Sequence, residues 1–595
     1  MTAAQKIKAL RDLMKKEKVA AYYVPSADDH MSEYLPEHAK RRAWLSGFTG
    51  SMGELVVGLK KAGLWTDGRY FYQAELELPG SGIELQRLGE PATPTISQWL
   101  ASQLKSGEAV GIDPRLMSIA QADRLESELK PHGIKVKSIA RNLVDRLWED
   151  QPEPSLAPLT VHPTRYAGES VASKLGRVRQ AMKEAGCDVH VVGALDAVAW
   201  LLNIRSEDVL FTPVAISYAV VTDKRCYLYV DGRKVTGAVL KHLGKHVTVM
   251  EYREVGAGLK EIAAAKKKPT VWLDPQTTNR WVQNQLKGCP VHLAPSPIMA
   301  MKAVKNATQI EGIEAAHVRD GVAMVKFLKW LEEAVPGGGV TELSAAERLR
   351  EFRAEAREFK DNSFSTISGY AGNGSIIHYS VDEQSDTKLR PRGLYLIDSG
   401  GQYPDGTTDI TRTVALGPPQ RRMKDCFTRV LMGTIDCTIT PFPAGTTGRR
   451  IEMFARRNLW LAGIDYAHGT GHGVGQYLGV HEGPHSLKDL DTPPVVAGNL
   501  FSIEPGCYEN GKFGIRCENL AFVVEDEKRS TDQRTWLRFD TVTLCPFDRR
   551  LIDPGLMSPD QLRWLNAYHK RVYQELSPLL DKEHARWLRQ ATRPL

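Results

Sequence analysis

Five residues in the last third of the chain have side chains that could bind metal together: Asp398, Asp409, His472, Glu504 and Glu518. Asp398 closes the apolar run Leu394-Tyr395-Leu396-Ile397, and Asp409 stands in Thr408-Asp409-Ile410-Thr411-Arg412-Thr413. His472 lies in His468-Gly469-Thr470-Gly471-His472-Gly473-Val474-Gly475, Glu504 in Ile503-Glu504-Pro505-Gly506, and Glu518 in Ile515-Arg516-Cys517-Glu518-Asn519. Four carboxylates and one imidazole make a hard, oxygen-rich donor set. Such a set suits two divalent ions of the manganese, cobalt or zinc kind and not a structural zinc. If the five converge, the chemistry open to them is two-metal hydrolysis.

Convergence makes demands on the backbone. Asp398 and Asp409 are an odd number of positions apart, so one continuous strand would put them on opposite faces. Gly400-Gly401 and Pro404-Asp405-Gly406 supply a bend, and two adjacent strands could then aim both carboxylates into one space. The glycines around His468 and His472 exclude a helix or a plain strand and let backbone approach a ligand closely. His481, in Val480-His481-Glu482-Gly483-Pro484, extends this histidine cluster, whereas His485 reads as a surface residue. Glu504 ends an apolar strand over 499–503, where a buried carboxylate needs a partner. Taken singly, turn aspartates and salt-bridged glutamates are ordinary; all five in this order are not.

The elements that must position these residues are arranged as follows. Residues 4–17 set Ile7, Leu10, Leu13 and Met14 on one helical face. Strands and helices alternate to about residue 150, where Gln151-Pro152-Glu153-Pro154-Ser155 marks a linker. A second unit repeats the plan: Trp200-Leu201 stands where Trp44-Leu45 stood, and Asp231-Gly232-Arg233 echoes Asp67-Gly68-Arg69. A long helix is expected over 305–333, stopped by Pro336-Gly337-Gly338-Gly339. The next helix begins between Thr341 and Ser344 and runs to about 358, with Ser344-Ala345-Ala346-Glu347 as its capping box. The tail from 549 is helical again.

At 595 residues the chain needs several domains. Its 78 basic and 71 acidic residues nearly balance, and Lys266-Lys267-Lys268 reads as a solvated helix end, so no nucleic-acid partner is expected. Eight cysteines without a Cys-x-x-Cys pair read as free thiols of a reducing compartment. No apolar leader opens the sequence, and the longest apolar stretch, 189–202, is interrupted by His190 and Asp196. The expectation is a cytoplasmic protein with no membrane contact.

The runs over 395–413, 468–481 and 504–519 resemble the signatures of the creatinase-like "pita-bread" metallopeptidases. Within that group the chain is similar to the three-domain, cytosolic aminopeptidases P. The likeness extends to Pro25-Ser26-Ala27-Asp28-Asp29-His30 and Trp65-Thr66-Asp67-Gly68-Arg69-Tyr70. Ile503 and Cys507 depart from the usual neighbours of Glu504 but remove no ligand. The resemblance implies an α/β (α+β) fold: two creatinase-like domains over 1–152 and 160–300, a pita-bread catalytic domain over 301–548, and a helical extension over 549–595 packed on it. It implies two metal ions, usually manganese, with cobalt or zinc as alternatives. Asp409 and Glu518 would bridge them, Asp398 would chelate one, and His472 with Glu504 would complete the other. Glu504 would also be the general base for a hydroxide shared by the metals. His378, in a strand-like Ile376-Ile377-His378-Tyr379, would shuttle a proton or hold substrate; His468 and His481 would bind the proline side and stabilise the tetrahedral intermediate. Arg516 is a candidate partner for the carboxylates. The implied reaction removes an N-terminal residue from peptides with proline in second position, by a homodimer. A prolidase acting on Xaa-Pro dipeptides, or a silent peptidase-fold interaction protein, are the alternatives.

Overall fold

The computed structural model describes residues 1–595. The chain divides into two compact units: Met1–Thr164 with Glu169–Met299, and Arg165–Gly168 with Ala300–Leu595. The first unit holds two six-stranded sheets of the same design. In one, Ala21–Pro25 pairs antiparallel with Glu54–Gly58 and parallel with Ala109–Ile112. In the other, Val189–Val192 pairs antiparallel with Ser217–Thr222 and parallel with Val271–Leu273. Taken in chain order, the six strands of each sheet lie as 4-3-2-1-5-6. The echo between Trp44-Leu45 and Trp200-Leu201 therefore has a structural basis: both pairs lie on the helix that follows the first strand, Arg41–Ser46 and Leu195–Leu202. The two Asp-Gly-Arg turns both follow the third strand, Ala62–Thr66 or Cys226–Val230.

The second unit opens with the 31-residue helix Ala307–Gly337, capped by Asn306, whose side chain accepts from the Gln309 N–H. The helix continues through Pro336, close enough to its end that little hydrogen bonding is lost. In the next helix, Glu342–Ala354, the cap is Thr341 with Ser344 at the third position. The expected Ser344–Glu347 box is displaced by one turn because Thr341 already satisfies the free N–H groups. The helix also ends short of 358.

Two sheets frame the five candidate ligands. Leu394–Ser399 lies between Ile367–Tyr370 and Ile410–Ala415, both antiparallel. A six-stranded sheet runs in the order Phe442–Pro443, Trp536–Thr541, Asn519–Glu525, Leu500–Ile503, Gly471–Gly473, Glu482–Leu487. A hairpin, Gly506–Glu509 with Phe513–Arg516, connects two of these strands. The helices Arg421–Ile439 and Pro559–Leu576 bury Phe427, Val430, Leu431, Leu565, Val572 and Leu576 in one core. The tail is thus a structural part of this unit.

Two further expectations are corrected. His378 lies in a turn, not a strand. The fully buried Glu342 carboxylate gathers that segment by accepting from the Tyr370 N–H (2.6 Å), the Thr387 N–H (3.1 Å), Tyr379 OH (3.0 Å) and Asn373 Nδ2. His485 is buried, not on the surface: it sits on Glu482–Leu487 with its ring edge-on to Phe501.

Candidate metal centre

The strands put the five side chains at their ends and crossings. Asp398 pairs across the sheet with Thr411, and Asp409 stands just before the strand that begins at Ile410. Glu504 follows Leu500–Ile503, and its N–H donates to the Thr470 carbonyl (2.7 Å). Glu518 is the second of the two residues, Cys517 and Glu518, between Phe513–Arg516 and Asn519–Glu525. His472 is the middle residue of Gly471–Gly473. A Cβ on Gly471 would lie 1.9 Å from the Ser502 carbonyl oxygen, so glycine is required for the two strands to approach this closely.

Donor atoms of Asp409, His472 and Glu518 all lie within 4.8 Å of one another. His472 Nε2 is 3.4 Å from Asp409 Oδ2 and 3.3 Å from Glu504 Oε1. Its Nδ1 lies 2.9 Å from the Gly473 carbonyl, which can only accept, so Nδ1 carries a proton and Nε2 faces the carboxylates. Arg516 reaches Asp398 Oδ2 with Nη2 (2.6 Å), and its Nη1 comes within 3.5 Å of the carbonyl of Ile377, next to His378. The His481 ring stands edge-on to His472 at 4.2 Å. His468 presents Nδ1 to the Gly469 carbonyl (2.8 Å) and Nε2 to Tyr508 OH (2.9 Å). All eight residues singled out in the sequence, and Arg516, fall in the second unit.

Three supporting residues gave no sequence signal. Tyr508 OH also meets Arg516 Nη1 (2.7 Å), so one phenol joins His468 to the guanidinium. Thr411 Oγ1 donates to Glu518 Oε2 (2.8 Å) and lies 3.0 Å from Arg516 Nε. Ser502 Oγ accepts the His472 N–H (3.0 Å) and donates to Glu504 Oε1 (3.1 Å). Hydroxyl residues next to ligands are too common in strands to stand out without coordinates.

The electrostatics fit cations. Burial raises Asp398 to about 6, Arg516 opposes the shift, and Asp409 and Glu504 add to it. Burial, then Asp409, Glu504 and Asp398, hold Glu518 well above the carboxylate range. Burial would lower His472, but Asp409 and Glu504 keep it well above its usual value. Burial would raise Glu504, but its contact with His472 brings it to about 2. Burial lowers His468 to about 4, so that ring is neutral near pH 7. Three buried carboxylates and the partly buried Glu504 face one guanidinium and one imidazole. Asp398 Oδ1 and Glu518 Oε1 are buried and make no hydrogen bond. Excess negative charge and unsatisfied oxygens are costly in a protein interior, and divalent cations would relieve both.

Comparison with known proteins agrees with this geometry. Residues 311–525 match metallopeptidase family M24, and 535–595 match the C-terminal region of peptidase M24. Residues 6–147 and 150–309 each match a creatinase/prolidase N-terminal domain. The chain is 38% identical to a probable Xaa-Pro aminopeptidase P of Paracoccidioides brasiliensis, over 100% of this chain and 99% of that one. It is 40% identical to aminopeptidase P2 of Arabidopsis thaliana, over 99% and 88%. Among solved structures, the X-prolyl aminopeptidase of Caenorhabditis elegans, described as a cytosolic enzyme with a di-nuclear active site, superposes with a TM-score of 0.96 at 34% identity over both whole chains. An Xaa-Pro dipeptidase from Bacillus anthracis, 21% identical, shares the fold over 64% of this chain with a TM-score of 0.51.

Proposed function

Because the chain belongs to metallopeptidase family M24, among the aminopeptidases P with two creatinase-type N-terminal domains, we propose that it removes the N-terminal residue from peptides whose second residue is proline. It is a dinuclear metallo-aminopeptidase. The convergence of Asp409, His472 and Glu518, with Asp398 and Glu504 in the same buried cluster, carries this reading.

Asp398, Asp409, His472, Glu504 and Glu518 would hold the two ions. Manganese is the choice that an oxygen-rich set with one imidazole supports, with cobalt or zinc as alternatives. Bound there, such ions supply Lewis acidity toward a carbonyl oxygen and acidify water. Glu504 Oε1 is already engaged by Ser502 and His472, which leaves Oε2 to accept the proton of the attacking water. His378, in the turn just after the Ile377 carbonyl that Arg516 approaches, would hold or return a proton as the proline nitrogen leaves. His481 faces substrate beside His472. His468 acts as a neutral ring that fixes Tyr508, since both its nitrogens are engaged.

A homodimer is supported by the exposed Met453, Phe454, Trp460 and Leu461, seven-residue neighbours on one face of Gly448–Trp460 and its end. A solution mass of one chain would remove it. Eight free cysteines support a cytoplasmic setting, which fluorescent tagging in cells would test. The reading divides the chain at 1–152, 160–300, 301–548 and 549–595, with the proline-rich stretch after Asp150 as support.

The test is peptide cleavage by manganese-loaded protein. An Xaa-Pro-Xaa tripeptide should lose its first residue, an Xaa-Ala-Xaa control should not, and a chelator should abolish the activity. Cleavage confined to Xaa-Pro dipeptides would favour a prolidase; no cleavage with any of the three metals would overturn the reading.

A further inference from the structure

Beside the metal centre lies a buried ionic cluster that the chemistry above does not use. Glu482 follows His481, and its carboxylate receives two ammonium groups: Lys302 Nζ at 3.0 Å on Oε2 and Lys305 Nζ at 2.5 Å on Oε1. The side chains of Lys302, Lys305 and Glu482 are 0%, 1% and 4% exposed. Two cations on one carboxylate in a protein interior are expensive, and a surface alternative would cost far less. The cluster therefore invites a role other than stability.

Its connections show what it holds. Both lysines lie on the segment by which the chain passes into the second unit, which resumes at Ala300. That segment also grips the strand leading to Glu504: the Lys305 N–H donates to the Gly498 carbonyl (2.9 Å), and Asn499 Nδ2 donates to the Ala303 carbonyl (3.1 Å). The short piece Arg165–Gly168 joins in. Asn306 Nδ2 donates to the Ala167 carbonyl (2.9 Å), and Gln476 Nε2 to the Tyr166 carbonyl (3.3 Å). Gln476 lies on the loop between His472 and His481, and Glu482 pairs with Gly473 across the sheet. Both connecting segments thus close on the loop that sets His481 against His472.

We infer that Glu482, held by Lys302 and Lys305, is the positioning residue for His481, and that the two connecting segments thereby govern catalysis. The inference rests on the reading of His481 as a catalytic group. A carboxylate bonded from both sides fixes the backbone at 482, and with it the direction of the preceding side chain. Small misplacements of a group at the reacting centre lower kcat without weakening substrate binding.

The experiment compares Lys302→Met, Glu482→Asp and His481→Ala, singly and combined, in the full-length manganese-loaded protein on an Xaa-Pro-Xaa tripeptide. Lys302→Met leaves a balanced Lys305–Glu482 pair, so the variant should fold; Glu482→Asp keeps the charges but shortens the arm. Each should lower kcat by about tenfold, with KM within about twofold. Bound metal, read by mass spectrometry, should be unchanged. In the His481→Ala background neither should lower kcat further, because the group they position is gone. Losses that multiply with His481→Ala, an unchanged kcat, or metal lost in step with activity would each overturn the inference. Full activity of His481→Ala alone would instead remove the reading of His481 on which it stands.

Discussion

At the scale of single residues, the five candidate ligands stand out in the sequence because each is a chemically demanding side chain in an unusual setting: a carboxylate ending an apolar strand, or an imidazole among glycines. Their supports were not. Tyr508 is one of 19 tyrosines, and nothing in Cys507-Tyr508-Glu509 shows that its hydroxyl will lie between His468 and Arg516. Tyr508→Phe removes that hydroxyl while leaving the Arg516–Asp398 pair in place. The expected outcome is a kcat lower by about ten- to a hundredfold with bound metal retained. Steady-state kinetics with metal analysis would check it, and wild-type kcat would show that the phenol is only a spacer.

At the scale of elements, the sequence was read well where periodicity is long and poorly where side chains fold a loop. The helix Ala307–Gly337 and the repetition of the N-terminal unit follow from apolar spacing and recurring motifs, whereas the strand order of the two sheets does not. The His378 segment looked like a strand because Ile376, Ile377 and Tyr379 are β-formers. Its turn is imposed by a carboxylate far away in sequence, Glu342, which no local pattern reveals. The strand Gly471–Gly473 shows the opposite case, since its glycines announce a close approach. Gly471→Ala would drive a methyl into the Ser502 carbonyl and spread the strands bearing His472 and Glu504. We expect soluble protein whose metal affinity falls about tenfold or more, measured by equilibrium metal titration; unaltered affinity would mean the strands part without disturbing the ligands.

At the scale of the whole molecule, two buried histidines link stability to pH. His190 is fully buried in the first unit, between the Trp272 carbonyl (3.1 Å) and Ser296 Oγ (2.9 Å), and burial lowers it to about 4. His569 in the second unit accepts the Phe547 N–H on Nε2 (3.2 Å); burial, then Arg412 and Arg549, lower it to about 3. Both are neutral when folded, and in the unfolded chain they take up a proton near about 6.5. Below that value the unfolded state binds more protons, so this stability is whole above about pH 6.5 and is lost as pH falls toward about 4. Each ring contributes about 1.4 kcal/mol per pH unit within the window. His569→Gln keeps an acceptor for Phe547 but no proton site, so urea midpoints taken across the window should fall less steeply than in the wild type. An equal slope would exclude His569 as a contributor.

The division of the chain has a practical consequence. Arg165–Gly168 sits in the second unit while its flanks belong to the first, so the chain passes from one unit to the other at 164/165, at 168/169 and at 299/300. A peptidase excised at residue 300 would lack a strip of its own structure, and the carbonyls that Asn306 and Gln476 hold would be missing. The fragment released by a single nick there would keep all five candidate metal ligands yet carry a gap in its surface, and supplying residues 165–168 as a separate peptide is the direct way to refill it.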